Sequence, residues 1–300
     1  MPNNAVHPDL RRIARFAPRN LVSRRSLPVL RAFGKLTTRG GGGGDVEVIT
    51  FASGAGVRLF RPVGVTEPAP AMVWIHGGGY VIGSAQQEDE LCRRFSSNLG
   101  ITIASVDYRL APEHPYPAPL EDCYAALKWL VGLRAVDPDR VVIGGASAGG
   151  GLAAALALLA RDRGEIHPAF QLLVYPMLDD RSAGLPNDPN YRLWTPASNK
   201  FGWDAYLGGA DVRSAVPARC EDLSGLPPAW IGVGSNDLFY DEDLAYAERL
   251  TAAGVPCQVE VVDGAFHGFD MVAAKAGVSQ RFFASQCDAV RAALAGVQAR

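Results

Sequence analysis

Residues 140–163, RVVIGGASAGGGLAAALALLARDR, form the stretch that decides the fold. A β-branched, apolar run at 141–143 leads into the pentapeptide GASAG at 145–149, and an Ala- and Leu-rich run follows. This order predicts a strand, a sharp turn and a helix, with the side chain of Ser147 exposed at the helix N-terminus. A glycine-rich turn with an incidental serine is the alternative, because short motifs also occur by chance.

The uncharged run 141–160 within this stretch is long enough for a membrane-spanning helix. Five of its 20 residues are glycine, however, and most of these lie close to Ser147. Glycine disfavours an uninterrupted helix, so a strand, a turn and a shorter helix fit the pattern better. We therefore expect no membrane insertion.

On both sides of this stretch, strand-like apolar runs alternate with amphipathic helical runs. Apolar strands between helices indicate a mostly parallel sheet with helices on both faces, so the predicted fold class is α/β. Two short β-like runs at 45–51 and 56–62 predict a hairpin at one edge of this sheet. The remaining predicted strands are 71–76, 101–108, 140–147, 169–176, 229–237 and 257–264, and the predicted helices are 88–100, 120–133, 151–164, 241–254 and 281–297.

Two segments stand outside this alternation. Residues 1–44 are a basic, amphipathic arm that we expect to be helical and that ends in five successive glycines, which predict a flexible joint to the main domain at 45–300. The segment at about 179–215 is rich in Pro, Gly and Asn but holds aromatic side chains, which need something to cover. We interpret it as a lid whose aromatic residues are Tyr191, Trp194, Phe201, Trp203 and Tyr206.

Composition and charge exclude several classes of protein. With 29 Lys plus Arg, 31 Asp plus Glu and a pI of about 6.2, the chain lacks the basic surface that nucleic acids require, so we expect no nucleic-acid partner. Its five cysteines are widely spaced and include no C-x-x-C pair, which argues against a zinc site and a disulfide framework. Charged residues interrupt the first 20 positions, so we expect no secretory signal and a cytoplasmic protein.

A serine hydroxyl at such a turn becomes a nucleophile only when a base accepts its proton and a carboxylate orients that base. Asp237 follows one predicted strand and His267 follows the next, so both are expected at the carboxyl edge of the sheet, together with Ser147. The order Ser, Asp, His is the one that belongs to this strand-turn-helix motif. We therefore predict a catalytic triad of these three residues.

Other residues compete for the roles of acid and base. Three more carboxylates follow Asp237 closely, those of Asp241, Glu242 and Asp243. They fall in the first turn of a predicted helix, where acidic side chains offset the helix dipole, so we interpret them as caps. A lone histidine after a strand is more often a solvated loop residue than a catalyst, and His267 is favoured because it stands in the right order.

The loop HGGGY at 76–80 follows a predicted strand and contains three successive glycines. Glycines let backbone N–H groups approach a substrate oxygen closely, as stabilisation of an oxyanion requires. A nucleotide-binding turn is the alternative, but neither this loop nor 144–151 contains G-x-G-x-x-G, and no G-K-[ST] follows. The chemistry predicted from these residues needs no metal and no cofactor.

Five motifs follow one another along the chain: HGGGY (76–80), DYRLAPEHPYPAPLEDC (107–123), GASAGG (145–150), NDLFYDE (236–242) and GAFHGF (264–269). With these motifs, the chain resembles, from about residue 45 to the C-terminus, the hormone-sensitive-lipase-like (bacterial family IV) carboxylesterases of the α/β-hydrolase superfamily. The resemblance implies an α/β-hydrolase fold with a mostly parallel central sheet, helices on both faces and a helical cap. Residues 1–44 and the insertion at about 179–215 stand where this family carries its cap.

The resemblance also implies the roles of individual residues. Ser147 would be the nucleophile, His267 the general base and Asp237 the acid that orients this base. The oxyanion hole would consist of the backbone N–H groups of Gly78, Gly79 and Ala148. His76 would hold the glycine loop, and His114 would be non-catalytic. Structural support, paired by charge, would come from Asp107, Arg109 and Glu113.

The chain departs from the family pattern at two places. Many members have Asp before the nucleophile where this chain has Ala146, which removes a potential hydrogen-bond anchor of the turn. The loop at 236–242 also lacks the proline that usually follows the acid. Neither difference removes a member of the triad.

The implied activity is hydrolysis of short- to medium-chain carboxylic esters through an acyl-enzyme, with a small-molecule ester as the partner. A ligand-binding protein that keeps the fold without turnover is one alternative, although such a protein would be free to lose a triad residue. An amidase or acyltransferase with the same triad is another. The sequence leaves the oligomeric state open, with a homodimer as one alternative.

Overall fold

A single eight-stranded sheet forms the centre of the protein. The computed structural model describes residues 6–20, 22–38 and 46–297. The strands are Val46–Thr50 (β1), Gly56–Phe60 (β2), Ala69–Ile75 (β3), Thr102–Asp107 (β4), Val136–Ala146 (β5), Phe170–Val174 (β6), Ala229–Gly234 (β7) and Cys257–Val262 (β8). They lie in the order β1-β2-β4-β3-β5-β6-β7-β8.

Most of the strand pairs are parallel, as predicted. β4, β3, β5, β6, β7 and β8 pair in parallel. β1 and β2 form an antiparallel hairpin at one edge, and β2 joins the sheet antiparallel to β4, so the predicted edge hairpin is also confirmed. Because the parallel strands run in one direction, their carboxyl ends, and the loops that follow them, meet along one edge.

Helices cover both faces of this sheet, which confirms the α/β class. Alternate residues of β3 show the two sides: Val73 belongs to one hydrophobic core and Trp74 to the other. α4, α5 and α8 pack on the first face, and α3 and α10 pack on the second. The helices are Arg11–Ala14 (α1), Leu27–Thr38 (α2), Asp89–Leu99 (α3), Ala118–Val131 (α4), Ala148–Arg163 (α5), Pro196–Leu207 (α6), Val212–Ala215 (α7), Tyr240–Ala252 (α8), Phe269–Val272 (α9) and Gly277–Val297 (α10).

Two helices begin three or more residues earlier than the sequence predicts. α5 starts at Ala148 rather than at residue 151, because close backbone packing fixes the glycine-rich first turn despite its low helix propensity. α10 starts at Gly277 rather than at residue 281. There the carboxylate of Asp9 accepts a hydrogen bond from Val278 N at 3.0 Å, so a distant residue of the arm caps the helix.

The N-terminal arm and the 179–215 insertion contact each other. The arm contains α1 and α2, and the insertion contains α6, α7 and a 3₁₀ helix at Asp180–Gly184. Ser198 Oγ donates to Val22 O at 2.9 Å, and Leu193 N donates to Pro18 O at 2.8 Å. The predicted glycine joint at 40–44 lies outside the described residues, and the predicted boundary between arm and main domain stays a prediction.

The uncharged run 141–160 is divided between β5 and α5. Within the described ranges, no helix has the length and apolar character of a membrane span. The thiols of all five cysteines are free, and three of them, Cys92, Cys123 and Cys287, are buried.

Candidate active site

Ser147 occupies a strained turn between β5 and α5. Its backbone has φ +57° and ψ −122°, a combination that side-chain-bearing residues rarely adopt. The turn is tight because of its two flanking glycines: a Cβ at Gly145 would lie 2.4 Å from Gly149 O, and a Cβ at Gly149 would lie 2.0 Å from Ile75 O. The predicted strand, turn and helix are confirmed, and the turn holds the serine at the carboxyl edge of the sheet.

The structure brings the three predicted triad residues into one hydrogen-bonded chain. Asp237 lies in the loop after β7, and His267 lies in the loop after β8. His267 Nε2 is 2.9 Å from Ser147 Oγ, and His267 Nδ1 is 2.8 Å from Asp237 Oδ2. The exposed fractions are 7% for Ser147, 3% for Asp237 and 7% for His267.

This chain of hydrogen bonds fixes the direction of proton transfer. A carboxylate can only accept, so the imidazole donates Nδ1–H to Asp237 and leaves Nε2 free to accept the proton of Ser147. The other carboxylate oxygen, Asp237 Oδ1, accepts from Phe239 N at 3.0 Å, which holds the carboxylate in place. The rings of Tyr175 and Phe239 lie edge-on to the imidazole at 4.9 and 5.1 Å, so the base sits in a largely aromatic environment.

The glycine loop lies directly beside the serine. A Cβ at Gly77 would be 3.3 Å from Ser147 Cβ, and Gly78 and Gly79 have φ of +117° and +58°. Among the described residues, neither Gly78 N nor Gly79 N has a hydrogen-bond acceptor. The N–H of Ala148 is also without a helical partner, because it belongs to the first residue of α5. Three backbone donors next to the serine are thus available for an anionic oxygen.

His76 supports this loop. Its Nδ1 is 2.7 Å from Gly77 O, and its ring stacks on Tyr108 at 4.3 Å. Tyr108 in turn donates its hydroxyl to His76 O at 3.1 Å. Burial lowers the pKa of His76, which keeps the ring neutral. These contacts agree with the loop-holding role that the sequence analysis gave this residue.

Two of the three expected supporting residues form ion pairs, each with a different partner. Arg109 pairs with Asp122 at 2.8 Å, and Glu113 pairs with Arg31 of the arm at 2.7 Å. Asp107 has no ion-pair partner among the described residues, and its carboxylate accepts a hydrogen bond from Ala85 N at 3.0 Å, so the expected charge pairing is not seen there. Because Asp107 stands at the end of β4, it faces the turn after the glycine loop. His114, for which the resemblance implies no catalytic role, is exposed.

The three carboxylates that compete with Asp237 lie in the first turn of α8, as predicted. Asp241 is exposed, whereas Glu242 accepts hydrogen bonds from Leu178 N and Asp179 N at 2.8 and 3.1 Å. Glu242 therefore anchors the start of the insertion rather than capping its own helix. Asp243 is fully buried, and neither of its oxygens has a hydrogen-bond partner in the described part of the chain.

A cavity of about 1340 Å³ opens onto Ser147 and His267. Its walls include Trp194 of the insertion and Phe33 of the arm, so both segments outside the α/β core shape it. Trp194 lies against Gly79, and the sequence alone could not show this pairing because the two residues are distant in the chain. No group of three or more His, Cys, Asp or Glu with a geometry for metal binding occurs among the residues that the structure describes.

Comparison with protein families finds one match over most of the chain. A family model described as the alpha/beta hydrolase fold matches residues 72–271. Esterase LipI of Mycobacterium tuberculosis is 37% identical over 236 residues, which are 75% of this chain and 74% of LipI. Carboxylesterase NlhH of the same organism is 38% identical over 229 residues, which are 71% of this chain and 70% of NlhH.

Solved structures show the same similarity over almost the whole chain. Bacterial heroin esterase has a TM-score of 0.87 and 35% sequence identity, with 97% of this chain and 98% of that chain covered. Esterase LipW from Mycobacterium marinum has a TM-score of 0.86 and 33% identity, with 98% of each chain covered.

We predict that Gly79→Ala lowers kcat/KM by about 10²–10³, the usual effect of losing an oxyanion donor. A Cβ at this position would lie 2.0 Å from Trp194 Cη2, so the loop would have to move. Gly164→Ala is the matched control: its φ is +66°, and no heavy atom lies within 4 Å of the added Cβ. It should lower stability by about 1 kcal/mol and leave kcat/KM unchanged. Equal kcat/KM values in the two variants would contradict the prediction.

We predict that Asp243→Asn increases stability, and increases it more at higher pH. Burial raises the pKa of Asp243 well above its ordinary 3.8, so the folded protein binds a proton that the unfolded chain has already released. Wild-type stability therefore falls as the pH rises above about 4, and the asparagine variant lacks this loss. Urea unfolding at about pH 5 and about pH 8 measures it. A stability difference that is the same at both pH values would be inconsistent with a protonated Asp243.

Proposed function

The chain belongs to the hormone-sensitive-lipase-like family of alpha/beta hydrolases, and from this we propose that it is a serine carboxylesterase with Ser147, His267 and Asp237 as its catalytic triad. The observation that carries the proposal is the unbroken chain of hydrogen bonds from Ser147 Oγ through His267 to Asp237 at the wall of a large cavity. A protein that only binds a ligand does not need these hydrogen bonds.

The first half of the reaction forms an acyl-enzyme. Ser147 Oγ attacks the carbonyl carbon of the ester while His267 Nε2 takes the hydroxyl proton. The carbonyl oxygen becomes an oxyanion, which the N–H groups of Gly78, Gly79 and Ala148 stabilise. When this intermediate collapses, the bond to the alcohol oxygen breaks, and His267 gives its proton to the leaving alcohol.

The second half of the reaction releases the acid. A water molecule attacks the acyl carbon while His267 takes one of its protons, and the same three N–H groups receive the oxyanion. The bond to Ser147 Oγ then breaks, and His267 returns the proton to the serine. Asp237 stays ionised throughout and stabilises the imidazolium that forms in both halves.

The arm and the insertion act as a cap that shapes the substrate pocket. Trp194 on Gly79 restricts the space immediately above the oxyanion donors. The aromatic side chains of the insertion pack inward, with Tyr206 stacked on Tyr80 at 4.0 Å. Because Trp194 restricts the space above the oxyanion donors, the proposed substrates are esters of short to medium chain length. Free, partly buried thiols support a cytoplasmic location for this activity.

We predict that the purified protein hydrolyses p-nitrophenyl esters, with the highest kcat/KM at short or medium acyl chains between acetate and palmitate. Ser147→Ala should abolish this turnover, because the variant has no nucleophile. Unfolding by urea shows whether the variant keeps its fold. Equal hydrolysis by wild type and Ser147→Ala would refute the proposal.

Parallel assays with the matching amides and with alcohols as acyl acceptors separate an esterase from an amidase or an acyltransferase.

We predict that Asp237→Asn lowers kcat by up to about 10⁴, as loss of the orienting carboxylate does in other serine hydrolases. The substitution keeps the shape of the side chain but removes the negative charge that fixes the imidazole. Asp241→Asn is the control, because this neighbouring carboxylate is exposed in the first turn of α8. It should retain wild-type kcat. If Asp237→Asn kept wild-type kcat instead, another group would have to orient His267.

A further inference from the structure

Besides the proposed triad, several polar side chains line the cavity, among them two carboxylates and a serine hydroxyl that have no role in the reaction described above. Glu88 ends the 3₁₀ helix Ala85–Glu88, Asp270 lies in the first turn of α9, and Ser279 lies in the first turn of α10. All three line the cavity that reaches Ser147 and His267. We call Glu88, Asp270 and Ser279 the acidic recess.

The acidic recess lies close to the reacting atoms. Asp270 follows His267 by three residues, and its Oδ1 accepts a hydrogen bond from the hydroxyl of Tyr175 at 2.7 Å. The ring of Tyr175 contacts the imidazole of His267 edge-on, with 4.9 Å between ring centroids. A single side chain thus separates this carboxylate from the proposed base. Ser147, His267 and the three residues of the acidic recess line the same cavity, so a substrate bound there lies beside all of them.

In the described part of the chain, the two carboxylates of the recess have no ion-pair partner. Among the described residues, neither Glu88 nor Asp270 forms an ion pair with Lys or Arg. The guanidinium of Arg94 also lines the cavity, but it stacks on Phe283 at 4.0 Å and donates to Gln280. Burial, with the nearby charge of Asp270, raises the pKa of Glu88 to about 7. The charge of Asp270 therefore disfavours ionisation of Glu88.

Ser279 provides independent support for a ligand. Its side chain is 3% exposed, and its Oγ has no hydrogen-bond partner in the described part of the chain. Buried hydroxyl groups are nearly always hydrogen-bonded, so an unpartnered one in the wall of a cavity indicates a missing partner. A hydroxyl oxygen can accept from an N–H donor, as the two carboxylates can. All three groups of the recess can therefore accept hydrogen bonds from the same kind of ligand.

We propose that the acidic recess binds a protonated amine of the substrate, so that the protein acts preferentially on carboxylic esters that carry an ammonium group. An ammonium ion supplies both what Glu88 and Asp270 lack, a positive charge, and what Ser279 lacks, an N–H donor. The proposal rests on the proposed esterase function and specifies its substrate class.

Two matched pairs of esters test the proposal. The first pair is 2-(dimethylamino)ethyl acetate and 3-methylbutyl acetate, which have the same shape but differ in charge on the alcohol side. The second is methyl 4-(dimethylamino)butanoate and methyl 5-methylhexanoate, which differ in charge on the acyl side. We expect kcat/KM to be roughly tenfold or more higher for the charged member of at least one pair near neutral pH. The pair that responds shows which side of the ester faces the recess.

Glu88→Gln should reduce this preference for the charged ester by roughly ten- to a hundredfold, because it removes the charge and keeps the shape. Glu248→Gln is the matched control: it changes the net charge equally, but Glu248 is exposed on α8 and does not line the cavity. Its preference should equal that of wild type. Should Glu88→Gln fail to fold, inhibition of wild type decides, with 2-(dimethylamino)ethanol expected to inhibit p-nitrophenyl acetate hydrolysis more strongly than 3-methylbutanol.

The results separate this proposal from the proposed function. If wild type hydrolyses the neutral esters and Ser147→Ala does not, but charged and neutral members of both pairs react equally, the esterase stands and the amine site is overturned. The same holds if the amino alcohol inhibits no better than 3-methylbutanol. If wild type hydrolyses none of the four esters faster than Ser147→Ala, both proposals fail.

Discussion

The close backbone contact between β3 and the start of α5 is the constraint on which the rest of the site depends. Only a residue without a side chain fits at Gly149, where a Cβ would lie 2.0 Å from Ile75 O. This contact sets the sharp turn that holds Ser147 at φ +57° and aims the first turn of α5 at the loop after β3. A larger residue would separate the serine from the backbone donors of Gly78 and Gly79, and the two halves of the site would no longer meet.

The parallel sheet extends this local constraint to residues far apart in sequence. Ser147, Asp237 and His267 follow β5, β7 and β8, and parallel pairing brings the carboxyl ends of these strands to one edge. The loops themselves are then held by backbone bonds, such as Asn236 N to Ala265 O at 2.9 Å. The imidazole is thus positioned by β7, β8 and the loops that follow these strands. This rigid support explains how its two hydrogen bonds form.

This division between local and distant contacts decides what the sequence could predict. The strand-turn-helix around Ser147, the alternation of strands and helices, and the meeting of Asp237 with His267 all follow from patterns within short segments and from one rule of topology. The cap of α10 by Asp9, the bond from Glu242 to the insertion, and Trp194 on Gly79 join segments that no periodicity relates. The same is true of Glu88 and Asp270, which lie in unremarkable helical turns when they are viewed along the chain.

The electrostatics of the cavity differ between the surroundings of Ser147 and the acidic recess beside them. Near the serine, neutral groups prevail: His76 is kept uncharged by burial, and the glycine loop offers only backbone dipoles, which suits a site where negative charge must develop. In the acidic recess, which Tyr175 separates from His267, burial raises the pKa of both Glu88 and Asp270, so the ionised forms of these carboxylates are disfavoured in the folded protein. Two apolar side chains of similar size would avoid this loss of stability. The carboxylates therefore make physical sense as a site for a cation that the substrate brings, rather than as a contribution to the fold.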